Sequence, residues 1–203
     1  MTYQAGNQQF IIDNLGFRIG SNHPGRNVQV GTGNPYADVL VVQPHIKMPE
    51  RDAITGALKN FNMLGDAYRV SSQIVDFADG PEYPDLAQRS RRGDPLKTGE
   101  KINREYLKEL IEIIRPLVVV ACGPDVLSLL RERKARSFET HTGKKFPVRD
   151  LTSCVFYATL NPAEYGFARA PLELKAQGKS EWIKLSKLYQ DLREKQEKAR
   201  WTC

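Results

Sequence analysis

Ile113–Leu130, IIRPLVVVACGPDVLSLL, is the stretch on which the fold turns. Leu117–Cys122 is apolar on both alternating faces, the pattern of a strand covered on each side by helices in a parallel sheet. Pro116 closes the helical pattern before it, because the residue preceding a proline is pushed out of the α region. Gly123-Pro124-Asp125 opens a new helix: proline is tolerated at the first helical position and Asp suits the positive end of the helix dipole. Leu127, Leu129 and Leu130 carry that helix into the basic segment Arg131–Arg136. Helix, buried strand, helix is the unit of an α/β protein.

The same unit recurs outward. Upstream, Ile102, Tyr106, Leu110, Ile113 and Ile114 mark an amphipathic helix. Ala37–Val42 is a near-continuous apolar strand that runs into Gln43-Pro44-His45, polar groups held by a proline. Ile54, Leu58, Phe61 and Leu64 recur at helical spacing, with Gly65 as a stop. Tyr68–Phe77 reads as a second strand, with Ser71, Ser72 and Gln73 in its middle or at its mouth. Downstream, a Gly-containing connection, Thr142–Phe146, leads to the strand at Val155–Ala158, which breaks into the polar turn Asn161–Glu164 followed by Tyr165, Phe167 and Arg169. Ser180 stands as an N-cap for a long helix with Trp182, Leu185, Leu188, Tyr189 and Leu192 on one face. Asp79–Glu100 has no hydrophobic period and carries Arg89, Arg91, Arg92 and Lys97, a loop that is either functional or simply solvated.

Four buried-type strands alternating with helices predict an α/β fold, a three-layer α/β/α domain around a central, largely parallel four-stranded sheet. That domain spans residues 37–192. Residues 1–36 read as an irregular N-terminal arm whose apolar pieces, Phe10–Ile12, Phe17–Ile19 and Val28–Val30, form edge strands or pack on the core. Residues 193–203 read as a charged tail with a frayed end.

With 203 residues there is enough chain for one domain with a real core, and a net charge of +6 leans towards a polyanionic partner. Cys122, Cys154 and Cys203 are far apart and odd in number, so neither a zinc site nor a four-cysteine cluster is expected, and no cofactor. No apolar run reaches the length of a membrane span, and the N-terminus lacks a signal pattern. A cytoplasmic protein without membrane contact is the expectation.

Taken in order, these features resemble the uracil-DNA glycosylase superfamily. They are a strand ending in a Pro-containing polar turn, a strand ending in small polar residues, the Ile-x-Pro–strand–Gly unit, and a strand ending in Asn-Pro-Ala with an Arg downstream. Residues from Ala37 to about Leu192 can be laid on that fold. In the mismatch-specific and thymine-DNA glycosylase branch the first motif is Gly-Ile-Asn-Pro-Gly and the second begins Asn-Pro-Ser-Gly. Here the first reads Val41-Val42-Gln43-Pro44-His45, keeping the proline, with Gln43 at the place of the water-positioning Asn and both glycines replaced. The second reads Asn161-Pro162-Ala163-Glu164-Tyr165-Gly166-Phe167. The uracil-selecting Asn that ends the second strand falls near Ser72 and Gln73, and the four-cysteine cluster of the thermophile-type branch is absent.

The resemblance implies a monofunctional DNA glycosylase that flips a damaged or modified pyrimidine into a pocket and hydrolyses its N-glycosidic bond. Gln43, His45 and Asn161 are its expected catalytic residues, and Pro44, Ser72, Gln73, Pro162, Tyr165 and Phe167 its substrate-binding ones. Arg89, Arg91, Arg92, Lys144, Lys145 and Arg169 would neutralise DNA phosphates. Asn161 offers an amide donor to a base oxygen; Gln43 positions a water or only satisfies loop backbone; His45 donates a proton or fills the pocket. Tyr165 and Phe167 wedge into the gap left by the flipped base or belong to the core. Arg169 pairs with Glu164 or Asp150 if it is not bound to phosphate. The altered first motif and missing selector favour a base larger than uracil, tied to phage DNA modification. DNA is the expected partner, with replication or repair proteins beside it, for a monomer associated with the nucleoid. The alternative is a degenerate glycosylase fold kept as a binding module for DNA or a replication protein, its pocket plugged by His45 and Val41. A nucleotide-processing α/β enzyme is the third option, but the phosphate-cradling Gly-rich loop it needs is missing.

Overall fold

The computed structural model describes residues 3–23, 27–29, 31–44, 48–72, 75–76, 98–132, 138–165 and 170–201. In chain order its elements are α1 (Tyr3–Asn22), β1 (Asn27–Val28), β2 (Thr32–Gly33), β3 (Val39–Gln43), α2 (Met48–Asn60), β4 (Ala67–Ser71) and β5 (Val75–Asp76). They continue as α3 (Thr98–Ile114), β6 (Val118–Cys122), α4 (Pro124–Leu130), β7 (Lys144–Phe146), β8 (Val155–Thr159), α5 (Pro162–Tyr165) and α6 (Leu172–Trp201).

The protein is α/β, with a mixed sheet of six strands in the order β2-β4-β3-β6-β8-β7. β3 pairs in parallel with β4 and with β6, and β6 in parallel with β8. β2 and β7 close the edges in antiparallel fashion, and β1 pairs with β5 in a separate two-stranded sheet. The expected four-stranded sheet is therefore corrected to six mixed strands. The two edges escaped the sequence because strands of two and three residues, Thr32–Gly33 and Lys144–Phe146, show no period to read.

Alternation along the inner strands sorts their side chains onto two faces. Leu40, Val42, Tyr68, Val70, Val119, Ala121, Phe156 and Ala158 share one core with Ile12 and Leu15 of α1, Leu107 and Ile111 of α3, and Leu127 and Leu130 of α4. Val39, Val41, Ala67, Val118, Val120, Cys122 and Tyr157 share the other with Ile54 and Leu58 of α2 and Trp182 and Leu185 of α6. Each fully buried Leu or Val contributes about 1.5–3 kcal/mol, so two apolar faces on every inner strand are what hold helices on both sides.

The arm expected to be irregular is a helix of 20 residues. Ile12, Leu15 and Ile19 are buried at helical spacing while Phe10 and Phe17 are exposed, so the triplets Phe10–Ile12 and Phe17–Ile19 are not edge strands. α1 lies on α3, with Gln8 Nε2 donating to the Ile113 carbonyl at 2.9 Å and Arg18 paired with Glu109. α2 stops at Asn60, and the reversal is made by Asn62 at φ 56° rather than by Gly65. The second strand ends at Ser71, and Val75–Asp76 belongs to the separate sheet. Ser180 caps nothing: α6 begins at Leu172 and runs as one helix of 30 residues through the supposed frayed tail. Arg193 anchors that tail to Asp66 at 3.3 Å.

Candidate functional site

Parallel pairing brings the ends of four strands level at one edge of the sheet. Gln43 stands opposite Ser71, Val42 opposite Ala121, and Cys122 opposite Thr159. The residues just past these ends, Pro44, Ser72, Gly123 and Asn161, gather where open α/β sheets place their ligands. Gly123 sits at the centre with φ 93° and ψ 171°, backbone that only glycine adopts without strain. A Cβ built there would lie 3.7 Å from Asn161 Cβ and 4.0 Å from Pro44 Cγ, so the glycine keeps open the floor between the two motifs. Its N–H donates to the Thr159 carbonyl at 2.9 Å, tying the β6 and β8 ends together.

Asn161 is 5% exposed. Its Oδ1 accepts the Ala163 N–H at 3.1 Å and its carbonyl accepts the Glu164 N–H at 2.9 Å, so the residue caps the short helix α5. The expected turn Asn161–Glu164 is this cap and the helix it opens. The cap also fixes the amide's orientation: with oxygen turned to Ala163, the Nδ2 group points the other way, and it has no partner among the described residues. A buried side chain thus holds two N–H donors ready for a ligand.

The first motif is held by hydrogen bonds to the second strand. Gln43 is 1% exposed and its carbonyl accepts the Ser72 N–H at 2.7 Å. Ser71 and Ser72 both donate their hydroxyls to the Pro44 carbonyl, at 3.1 and 3.4 Å. The Ser72 hydroxyl is therefore engaged in fixing Pro44 while keeping its lone pairs as acceptors.

Glu181 of α6, which the sequence reading passed over, lies beneath this edge at 3% exposure. Its Oε1 accepts from Thr142 Oγ1 at 2.8 Å and from Gln177 Nε2 at 3.0 Å. Its Oε2 accepts from the Leu160 N–H at 2.7 Å and from Thr159 Oγ1 at 3.1 Å. Four donors satisfy one buried carboxylate, which clamps the chain immediately before Asn161 to α6. A signal was present: Glu181 stands four residues before Leu185, on the face that carries Leu185, Leu188 and Tyr189 into the core.

Tyr165 takes the core reading and not that of a wedge. Its ring lies on Gly178 of α6, where an added Cβ would come within 2.6 Å of the ring carbons, and it packs with the α2–α6 core. Pro162 is buried beside Asn161, and Lys144 and Lys145 are exposed on β7. Asp150, offered as a partner for Arg169, pairs with Arg104 and Lys108. His45, Gln73, Phe167, Arg169, Arg89, Arg91 and Arg92 lie outside the described residues. Burial pushes the Cys122 thiol well up and the Cys154 thiol to about 11, so neither is a nucleophile at neutral pH. No helix among the described residues is long and apolar enough to cross a membrane.

Comparison with models of known protein families finds no match, and comparison with curated proteins finds none either.

Proposed function

We propose that the chain is a DNA glycosylase of the uracil-DNA glycosylase type, acting on a modified pyrimidine at the edge formed by Gln43, Pro44, Ser72, Gly123 and Asn161. The observation that carries this reading is the capped Asn161: a nearly buried amide whose oxygen is spent on Ala163 and whose Nδ2 donors are left for a ligand. Glycosidic cleavage breaks the C1′–N1 bond, and the base departs with the bonding pair. Water supplies the oxygen that bonds to C1′, and its proton balances the charge. A preorganised donor at a base oxygen stabilises the negative charge as it develops. Gln43 is the water-positioning group, its carbonyl fixed by Ser72 and its side chain at the end of β3. The open floor at Gly123 suits a flat ring passing between Pro44 and Asn161. The net charge of +6 favours a DNA partner.

A base-release assay tests the reading. Oligonucleotides carrying uracil, mismatched thymine, 5-hydroxymethyluracil or modified cytosines, glucosylated ones included, are incubated with the protein, and abasic sites are revealed by alkaline cleavage. Release from one of them, lost in Asn161→Ala, is expected. No release from any, with DNA binding intact, replaces the enzyme by the binding module.

A further inference from the structure

We propose that His141, Arg131 and Lys144 form a phosphate-binding notch on the rim of the same sheet edge, gripping a phosphodiester of the nucleic acid whose base enters the site. The name of the natural ligand rests on the reading above; the notch itself rests on geometry. Arg131, directly after α4, and His141, in the turn before β7, approach at 2.9 Å between a guanidinium nitrogen and Nε2. A guanidinium only donates, so the imidazole is the acceptor at Nε2 and carries its proton on Nδ1. Nδ1 has no partner among the described residues. Lys144 spends one N–H on the Thr140 carbonyl at 3.1 Å and meets no carboxylate among the described residues.

The notch is anchored to the site's own edge. Gly143 donates its N–H to the Ala158 carbonyl at 2.8 Å, and Lys144 stands opposite Ala158 near the end of β8. Thr142, next to His141, shares the Glu181 carboxylate with Leu160, the neighbour of Asn161. Among the described residues, the charged groups acting on His141 are Arg131 from the end of α4 and Lys144 from β7; Glu139 stands two residues earlier in the chain, and Glu181 is joined through Thr142. Burial first, then Arg131 and Lys144, holds the His141 imidazole below its ordinary value of 6.5. An arriving phosphate reverses that: it offsets both cations and favours the imidazolium. Phosphate capture therefore takes up a proton at His141 Nε2, with the Arg131 guanidinium turning from that nitrogen to the phosphate.

The test follows the imidazoles by NMR in full-length protein. The chain has three histidines, and the His141 signals are those missing from His141→Gln. Inorganic phosphate and a short oligonucleotide are the two probes. Both are expected to raise the His141 titration midpoint, and Lys144→Ala is expected to lower the slope of log K against log salt for the oligonucleotide by about one. A shift with inorganic phosphate alone also supports the notch and assigns it to free phosphate or monoesters. A His141 midpoint unmoved by either probe, with Lys144→Ala at the wild-type salt slope, overturns the notch even if base release proceeds. A shifted midpoint without base release supports the notch and overturns only the glycosylase reading.

Discussion

Replacing Glu181 by Ala removes the acceptor for four donors at once and is expected to destabilise the fold by about 3 kcal/mol. The Leu160 N–H has no other acceptor among the described residues and is left buried, at a cost of about 1–3 kcal/mol. The hydroxyls of Thr142 and Thr159 and the Gln177 amide lose charge-assisted bonds, each contributing about 1.5–3 kcal/mol. These three can turn to other partners, and relief from burying a carboxylate offsets part of the loss, so the simple sum overstates the effect. Glu181→Gln is expected to cost much less, about 1 kcal/mol. Its oxygen keeps the Leu160 N–H, its NH2 faces Thr142 and Gln177, and a hydroxyl rotates or an amide flips to accept from it. Urea unfolding at constant m-value measures both variants. Equal losses for Ala and Gln, or an Ala variant within about 0.5 kcal/mol of wild type, refute the four-donor account of this carboxylate.

Gly123→Ala is expected to lose about 1–3 kcal/mol in the same urea experiment, because φ 93° with ψ 171° strains any residue with a Cβ. Stability that matches wild type contradicts the backbone assigned to the site floor. Asp38 is held above its ordinary 3.8 by burial and by Asp66. A carboxyl raised on folding binds more protons folded than unfolded, so stability falls as the pH climbs upward from 3.8 until Asp38 is ionised. Asp38→Asn is expected to remove that fall, seen as a smaller loss of midpoint denaturant between acid and neutral pH; an unchanged pH profile contradicts it. Gly178→Ala is expected to destabilise by about 1–3 kcal/mol, since the new methyl meets the Tyr165 ring at 2.6 Å; a neutral outcome in thermal unfolding removes the tight seat of α5 on α6.

The inner strands were legible because burial on both faces demands apolar runs: Val39–Val42, Val118–Cys122 and Val155–Ala158 have no competing explanation. The strand ends were legible for the same reason, since an apolar run that stops at Gln43 or Asn161 marks the edge where polar groups can sit. α1 was hidden by its composition. Glycines at 6, 16 and 20 and several Asn and Gln lower its helix propensity, and packing of Ile12, Leu15 and Ile19 overrides that. The start of α6 was misplaced because Gly178 and Ser180 look like a helix boundary. Gly178 is inside the helix for a tertiary reason, the Tyr165 ring upon it, and no local pattern reports that. Glu181 was passed over because its partners come from residues 142, 159, 160 and 177, which are scattered in the chain and meet only in the fold.

The central claim is that Asn161 acts through its Nδ2 donors while its Oδ1 serves the cap. Asn161→Asp separates the two, because the carboxylate still accepts the Ala163 N–H at the cap, while it lacks the donors and sets a negative charge against the departing base. Single-turnover base release by this variant, on whichever substrate the wild type processes fastest, is the measurement. A loss of at least about 10²–10³-fold in a variant that still unfolds cooperatively is the expected result, the deletion of one preorganised donor alone supplying that factor. Release within about threefold of wild type, or no release from any substrate by the wild type itself, contradicts the account.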